Sequence, residues 1–340
     1  MQQLSPPPPK LKTDGAWNFG AYCGELLDAI NLAKYAQQES FAGFIKNKLR
    51  QKNWVWLGLY SDRFFSGFSV AQLGYVGQAF GYACDTRTVS KKKLELNESS
   101  WLSPAGLGMG VSGSLHNFRS FAISPKAQIS FVRKKEILQV KIKLPKIEGE
   151  LQIGPFYTPL SVLSEFEPAG ITMKTFSTSV NGRLYVDDQP IPLENMQAAW
   201  DWTSSFFHYR TDWKWALGVG HDKNGNSISF NLCTGVHEDL KRGFSECALW
   251  INGRLAAVPF VRVQIGHGTG LPWRIYSDDG RVEIEFTPVG ERAANTDLGI
   301  VSSYFRQPFG QFSGRIRDYL DRSVEFSNVL GVVEDHKARW

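Results

Sequence analysis

The chain has 340 residues, 42% of them hydrophobic and 13% aromatic, with a formal net charge of +5. That length suits two domains of about 150 residues, each able to bury its own core. A charge this mild, with its densest basic runs at Lys91, Lys92, Lys93 and at Arg133, Lys134, Lys135, argues against a nucleic-acid surface, which needs a longer basic stripe with exposed aromatics.

Residues 1–15, with prolines at 6–9, read as a disordered, proline-rich lead-in. They hold no apolar signal core, and no later run approaches the about 18 apolar residues of a membrane span. A cytoplasmic protein with no integral membrane segment is therefore expected. Cys23, Cys84, Cys233 and Cys247 show no CxxC spacing and fit free thiols in a reducing compartment.

One helical segment is expected, from about Leu26 to Leu49, with Ser40 and Gly43 dividing it in two. Strand patterns dominate the remainder. Leu138, Val140, Ile142 and Leu144 alternate with polar residues, as do Ile228, Phe230 and Leu232, and then Val282, Ile284 and Phe286; this period of two marks strands with one buried face. Asn181-Gly182, Asn224-Gly225, Asn252-Gly253 and Asp279-Gly280 are hairpin-turn signals.

The chain also echoes itself. Trp54-Val-Trp56 returns as Trp213-Lys-Trp215 nearly half the chain later, each pair leading into a turn and then a strand bearing Gly and Phe. This predicts two similar antiparallel units. The prolines at 190 and 192 interrupt pairing and suggest a division into residues 16–188 and 189–340. The fold class is all-β: two lipocalin-like barrel or sandwich units, with the short helical segment near the N-terminus. Small barrels of this kind can hold one small ligand.

Residues 200–215 carry the densest chemistry, with Trp200, Trp202, Trp213 and Trp215 interleaved with Asp201, His208, Arg210 and Asp212. Aromatics this concentrated form a wall, and charged groups beside it need partners. Asp201 and His208 are candidate acid–base residues, with Arg210 to fix an anionic or carbonyl group; a structural ion pair from Arg210 to Asp201 or Asp212 explains the same residues. Glu246 shares strand parity with Ala248 and Trp250, so it can point inward, where burial would raise its pKa and suit it to proton transfer. Asn231, like Glu246, sits on a strand pattern with an apolar opposite face. Trp202, Trp213, Trp215 and Trp273 are the expected pocket lining, and the small residues Ala216, Gly218 and Gly220 are expected to leave room at a cavity or a close contact. The six histidines form no HxH or HExxH pattern, and His116 and His267 fall in loop-like sequence, so no metal is expected. No P-loop or GxSxG elbow occurs, and no cofactor is called for.

Across most of its length the chain resembles an uncharacterised bacterial family, domain of unknown function 2804. The resemblance is carried by Asp201-Trp202-Thr203, the run from Arg210 to Ala216, Ser229-Phe230-Asn231-Leu232, Glu246 ahead of Asn252-Gly253, Pro272-Trp273-Arg274, Gln307-Pro308-Phe309-Gly310, and Glu334-Asp335 with Trp340. The family pattern has Asn after Glu246, where this chain has Cys247. The resemblance implies an architecture similar to the paired lipocalin-like barrels of the carotenoid hydratase family. The expected function is binding of a mostly apolar small molecule, such as an isoprenoid, lipid or polyketide, with cofactor-free hydration, isomerisation or cyclisation of it. The alternative is a non-catalytic carrier of the same ligand.

Overall fold

A computed structural model describes residues 4–36, 40–62, 64–85, 97–113, 115, 117–258, 260–266, 271–317 and 321–340. Lys91 to Lys93, His116 and His267 lie outside the described residues. Within them the protein is all-β, built from three large antiparallel sheets and a short N-terminal two-stranded ribbon. The helical segment divides as expected. A 3-10 turn and a single α-turn cover Leu27–Asn31 and Leu32–Tyr35, and a ten-residue helix covers Phe41–Arg50. Ser40 caps that helix, its hydroxyl accepting from the Gly43 N–H at 3.1 Å and satisfying one of the orphan donors of the first turn. Among the described residues no helix is long and apolar enough to cross a membrane.

The eight-stranded sheet runs in the order Gly20–Cys23, Leu160–Glu165, Ala169–Ser177, Gln197–Ser205, Lys52–Ser61, Phe64–Gln72, Val76–Asp85 and Asn97–Pro104. A seven-stranded sheet, from Met109–Val111 to Gln189–Pro190, packs on one of its faces. Period-two alternation sends Val55, Leu57 and Leu59 to that side, where they meet Phe131, Val140 and Leu151. The alternate residues of the same strand, Trp56 and Tyr60, face the other way and pack on the third sheet.

That third sheet has nine strands, ordered Arg254–Ala257, Ala248–Ile251, Ser227–Thr234, Arg210–His221, Ser323–Arg339, Ser302–Arg317, Val282–Asp297, Trp273–Tyr276 and Arg262–Gln264. It is an up-and-down meander whose opening strand, Arg210–His221, pairs with its last, Ser323–Arg339. The sheet curls around its own core of Phe230, Leu232, Trp273, Phe286 and Phe312, in the lipocalin-like manner. The eight-stranded sheet repeats the closure: Lys52–Ser61 pairs with Gln197–Ser205. By hydrogen bonding, the chain changes sheets between Ser205 and Arg210, because Gln197–Ser205 completes the first unit's sheet rather than starting the second.

Local chemistry explains most turns. Asn252 and Gly253, at φ 49° and 75°, join Ala248–Ile251 to Arg254–Ala257 in a two-residue hairpin. Asn224-Gly225 and Asp279-Gly280 also lie between paired strands. Asn181-Gly182 does not form a turn. It lies within strand Val180–Val186, where Gly182 takes φ 121° and a Cβ would stand 2.1 Å from the Glu150 carbonyl oxygen. The signal there reports close backbone approach instead. On the small face of Arg210–His221 the room serves a close contact: Gly218 accommodates the Phe230 ring, 2.2 Å from where its Cβ would be, and the large face meets the cavity. None of the four cysteines forms a disulfide among the described residues.

Candidate functional site

The layer between the eight- and nine-stranded sheets is not filled. It encloses a cavity of about 430 Å³, within the usual range for small-molecule sites, about 300–1,000 Å³. The cavity reaches the surface beside Leu102 and Leu298, which line it and are 61% and 73% exposed.

Its walls are aromatic because two strands present their indoles to each other. Trp54 and Trp56 project from Lys52–Ser61, and Trp213 and Trp215 from Arg210–His221. Trp54 stacks over Trp213 at 6.2 Å between ring centroids, and Trp56 meets Trp215 edge-on at 5.3 Å. Phe207, on the crossover between sheets, and Trp340 extend the stack.

Two polar clusters interrupt this wall. In the first, the strand register places Lys174 directly opposite Asp201, and the ammonium donates to the carboxylate at 2.5 Å. Glu246, delivered by the nine-stranded sheet, approaches the same ammonium to 3.1 Å. All three are buried. Burial alone would lower Lys174, but the charges of Asp201 and Glu246 outweigh it and hold the ammonium above its ordinary range. Burial raises Glu246, and Lys174 offsets only part of that.

The second cluster comes from the last strand. Trp215 pairs across the ladder with Glu334, and Trp213 with His336. The Trp213 indole N–H donates to Glu334 Oε1 at 2.7 Å, and the Gln307 amide donates to Oε2 at 3.0 Å. Gln307 in turn accepts from the Tyr82 hydroxyl at 2.6 Å. These donors are neutral, and the His336 ring nitrogen 3.8 Å from Oε1 is held uncharged by burial, so Glu334 lacks a charged partner such as Lys174 gives Asp201 and Glu246. Burial pushes the Glu334 carboxyl up to about 7, only partly countered by the Trp213 hydrogen bond. His336 is pushed down to about 3 by burial; its Nε2 lies 2.9 Å from the Ser303 hydroxyl and its ring sits 4.1 Å from Trp213. His237, also in the wall, bridges the hydroxyls of Ser164 and Ser205 at 3.1 and 3.3 Å. Burial holds it well below its ordinary value, hence neutral.

The sequence candidates divide accordingly. Asp201, Glu246, Trp213 and Trp215 come together at the cavity. Asn231 stands behind it: its Oδ1 accepts from the Trp215 indole and its amide donates to the Glu246 carbonyl, both at 2.6 Å, so it positions the wall. Trp202, adjacent to Asp201, necessarily points to the opposite face, into the first core, with its N–H on the Ser112 carbonyl at 3.0 Å. Trp273 belongs to the curled sheet's own core. His208 and Arg210 are exposed, because they follow the end of the buried strand and Arg210 lies on the face opposite Trp213. Lys174, Glu334, His336, Arg292, Gln307 and His237 were not among the sequence candidates. Glu334 and Gln307 left a trace, in the Glu334-Asp335 and Gln307-Pro308-Phe309-Gly310 segments that carry the family resemblance.

Several solved structures show a distant likeness. A protein of Nitrosomonas europaea described as an AttH is 13% identical, with a TM-score of 0.49 over 89% of this chain and 95% of that one. Kievitone hydratase from Nectria haematococca is 10% identical, with a TM-score of 0.49 over 85% and 88%. CghA in complex with Sch210972 is 11% identical, with a TM-score of 0.46 over 85% and 89%. At such identities and scores they say nothing about this chain's chemistry. No curated protein matches the sequence. The model of the family described as domain of unknown function DUF2804 matches residues 6–340, and the chain belongs to that family.

Proposed function

We propose that this protein binds a mostly apolar small molecule between its eight- and nine-stranded sheets and catalyses cofactor-free proton transfer on it, with Glu334 as the acid–base group. The observation that carries this reading is the setting of Glu334. Its carboxyl is buried in the wall of an aromatic cavity, bonded to the neutral donors of Trp213 and Gln307. A carboxyl poised near neutrality can both give and take a proton. Asp201 and Glu246 are less suited, since both are committed to Lys174; that triad supplies a fixed field beside the ligand. His208, a candidate acid–base residue by sequence, is too exposed to serve.

In a hydration, the Glu334 O–H would protonate one carbon of a ligand double bond while water adds its oxygen to the neighbouring carbon. The proton shed by that water returns to the Glu334 carboxylate, and the net change is addition of one water. Isomerisation follows when a ligand proton, instead of water, restores Glu334. The ligand class is an isoprenoid, lipid or polyketide-like molecule, and four cysteines outside any disulfide fit a cytoplasmic setting.

The test is to extract and identify small molecules that co-purify with the protein, then incubate them with it in water enriched in deuterium or heavy oxygen. Label entering the ligand with the native protein, and not with Glu334→Gln, is the expected result. A bound ligand that gains no label from either protein would leave a carrier and overturn the catalytic reading.

A further inference from the structure

Arg292 presents a group that the reading above does not use. It is 2% exposed and stands in the cavity wall, with its guanidinium 3.9 Å over the Phe80 ring centre and 5.0 Å over that of Phe305. Its hydrogen bond runs from Nε to Glu98 Oε1 at 2.9 Å. A guanidinium has five N–H donors in a planar fork. No hydrogen bond runs from either Nη amino group to an acceptor among the described residues, so both remain available to a ligand in the cavity. Glu98 is 32% exposed, so water screens part of the charge with which it neutralises the arginine.

The neighbouring cations are already committed. Lys174 is held by two carboxylates, and Lys52 donates to the carbonyls of Leu49 and Leu73 at 2.6 and 2.7 Å.

We propose that Arg292 receives the carboxylate of an apolar acid through its two Nη groups, so that the ligand is an anion with a hydrocarbon body. The inference rests on the small-molecule reading of the cavity and names the ligand's polar end. One planar fork matches one carboxylate in charge and geometry, whereas a phosphate monoester would call for further donors. The placement also suits the chemistry. Arg292 lies directly across the ladder from Gln307, whose amide holds Glu334. A cross-strand pair spans about 5 Å, so a carboxylate on Arg292 brings the first few carbons of the ligand beside Glu334. The rest of the body runs along the indoles.

The experiment compares quenching of the protein's tryptophan fluorescence by cis-parinaric acid and by its methyl ester, at about pH 8 so that the acid is ionised. The acid is expected to bind the native protein about tenfold or more tighter than the ester, the effect of a charge-assisted pair. Arg292→Gln should erase that preference by weakening the acid alone, and Arg292→Lys should restore part of it. Equal binding of acid and ester to the native protein would overturn the proposal and leave the cavity reading standing, as would loss of both ligands by the same factor in a folded Arg292→Gln. Failure of both probes to bind the native protein would sink the cavity reading and this proposal with it.

Discussion

Trp56 and Trp215 meet edge to face at 5.3 Å, their planes 87° apart, although they belong to different sheets. They are corresponding members of the two Trp-x-Trp pairs, and the other members, Trp54 and Trp213, stack beside them. The repeated motif thus packs against its own copy. In both sheets the motif-bearing strand pairs with the strand that follows all others of that sheet in the chain, and the cavity forms where the two motif strands face each other.

Truncating this contact should be costly. Trp215→Ala removes a ring that is 5% exposed and leaves the Asn231 Oδ1 without its indole donor. We expect a loss of about 3 kcal/mol, the low end for such truncations because one side of the ring already borders a void. Trp215→Phe should lose about half as much. Urea unfolding followed by circular dichroism measures both.

Lys174 holds two buried carboxylates. Lys174→Met should destabilise the protein by about 3–5 kcal/mol at neutral pH, since it strands those charges. Adding Asp201→Asn and Glu246→Gln to it should recover most of the loss, because uncharged partners of the same shape no longer need the ammonium. A triple variant as unstable as the single one would show that the methionine fails for steric reasons.

Glu334 and His336 should pull the pH dependence of stability in opposite directions. Glu334 rises from an ordinary 4.5 to about 7, so over that window the native state keeps a proton that the unfolded chain releases, and stability falls as pH rises through it. His336 falls from 6.5 to about 3, so the unfolded chain takes up a proton that the native state refuses, and stability falls as pH drops through that window. Relative to the native protein, Glu334→Gln should therefore gain stability from pH 4.5 to 7, reaching on the order of 3 kcal/mol above it. His336→Gln should gain as pH falls below 6.5. Denaturant midpoints across pH test the pair, and parallel curves for all three proteins would refute it.

His208 is exposed and meets the Phe166 ring edge-on at 5.4 Å between centroids. His208→Ala should leave stability within about 0.5 kcal/mol of the native protein and leave ligand binding unchanged. A marked loss of binding would return it to the site.

Alternation made the one-sided strands legible, since Leu138 to Leu144 and Val282 to Phe286 each show one face to a core. It was silent on Gln197–Ser205, which is buried at every position, and so could not say that Trp202 and Asp201 serve different layers. The charged floor was half visible. Asp201 and Glu246 stood out beside aromatics, but Lys174 sits in an unremarkable run and is brought to Asp201 only by strand register. Glu334, His336 and Arg292 reach the cavity through pairings across the nine-stranded sheet, which no local spacing encodes. The turn signals were sound where a loop followed and misled at Asn181-Gly182, where the same glycine freedom admits a neighbouring backbone.

The strand Ser323–Arg339 fits between two strands that precede it in the chain and brings Glu334 and His336 with it. Synthesis therefore delivers the rest of the wall, save His336 and Trp340, before the proposed acid–base group arrives. A nascent or internally nicked molecule lacking that insertion has indoles but no proton donor. Competence for the proposed chemistry then coincides with completion of the sheet, so incompletely folded copies stay inert toward the ligand.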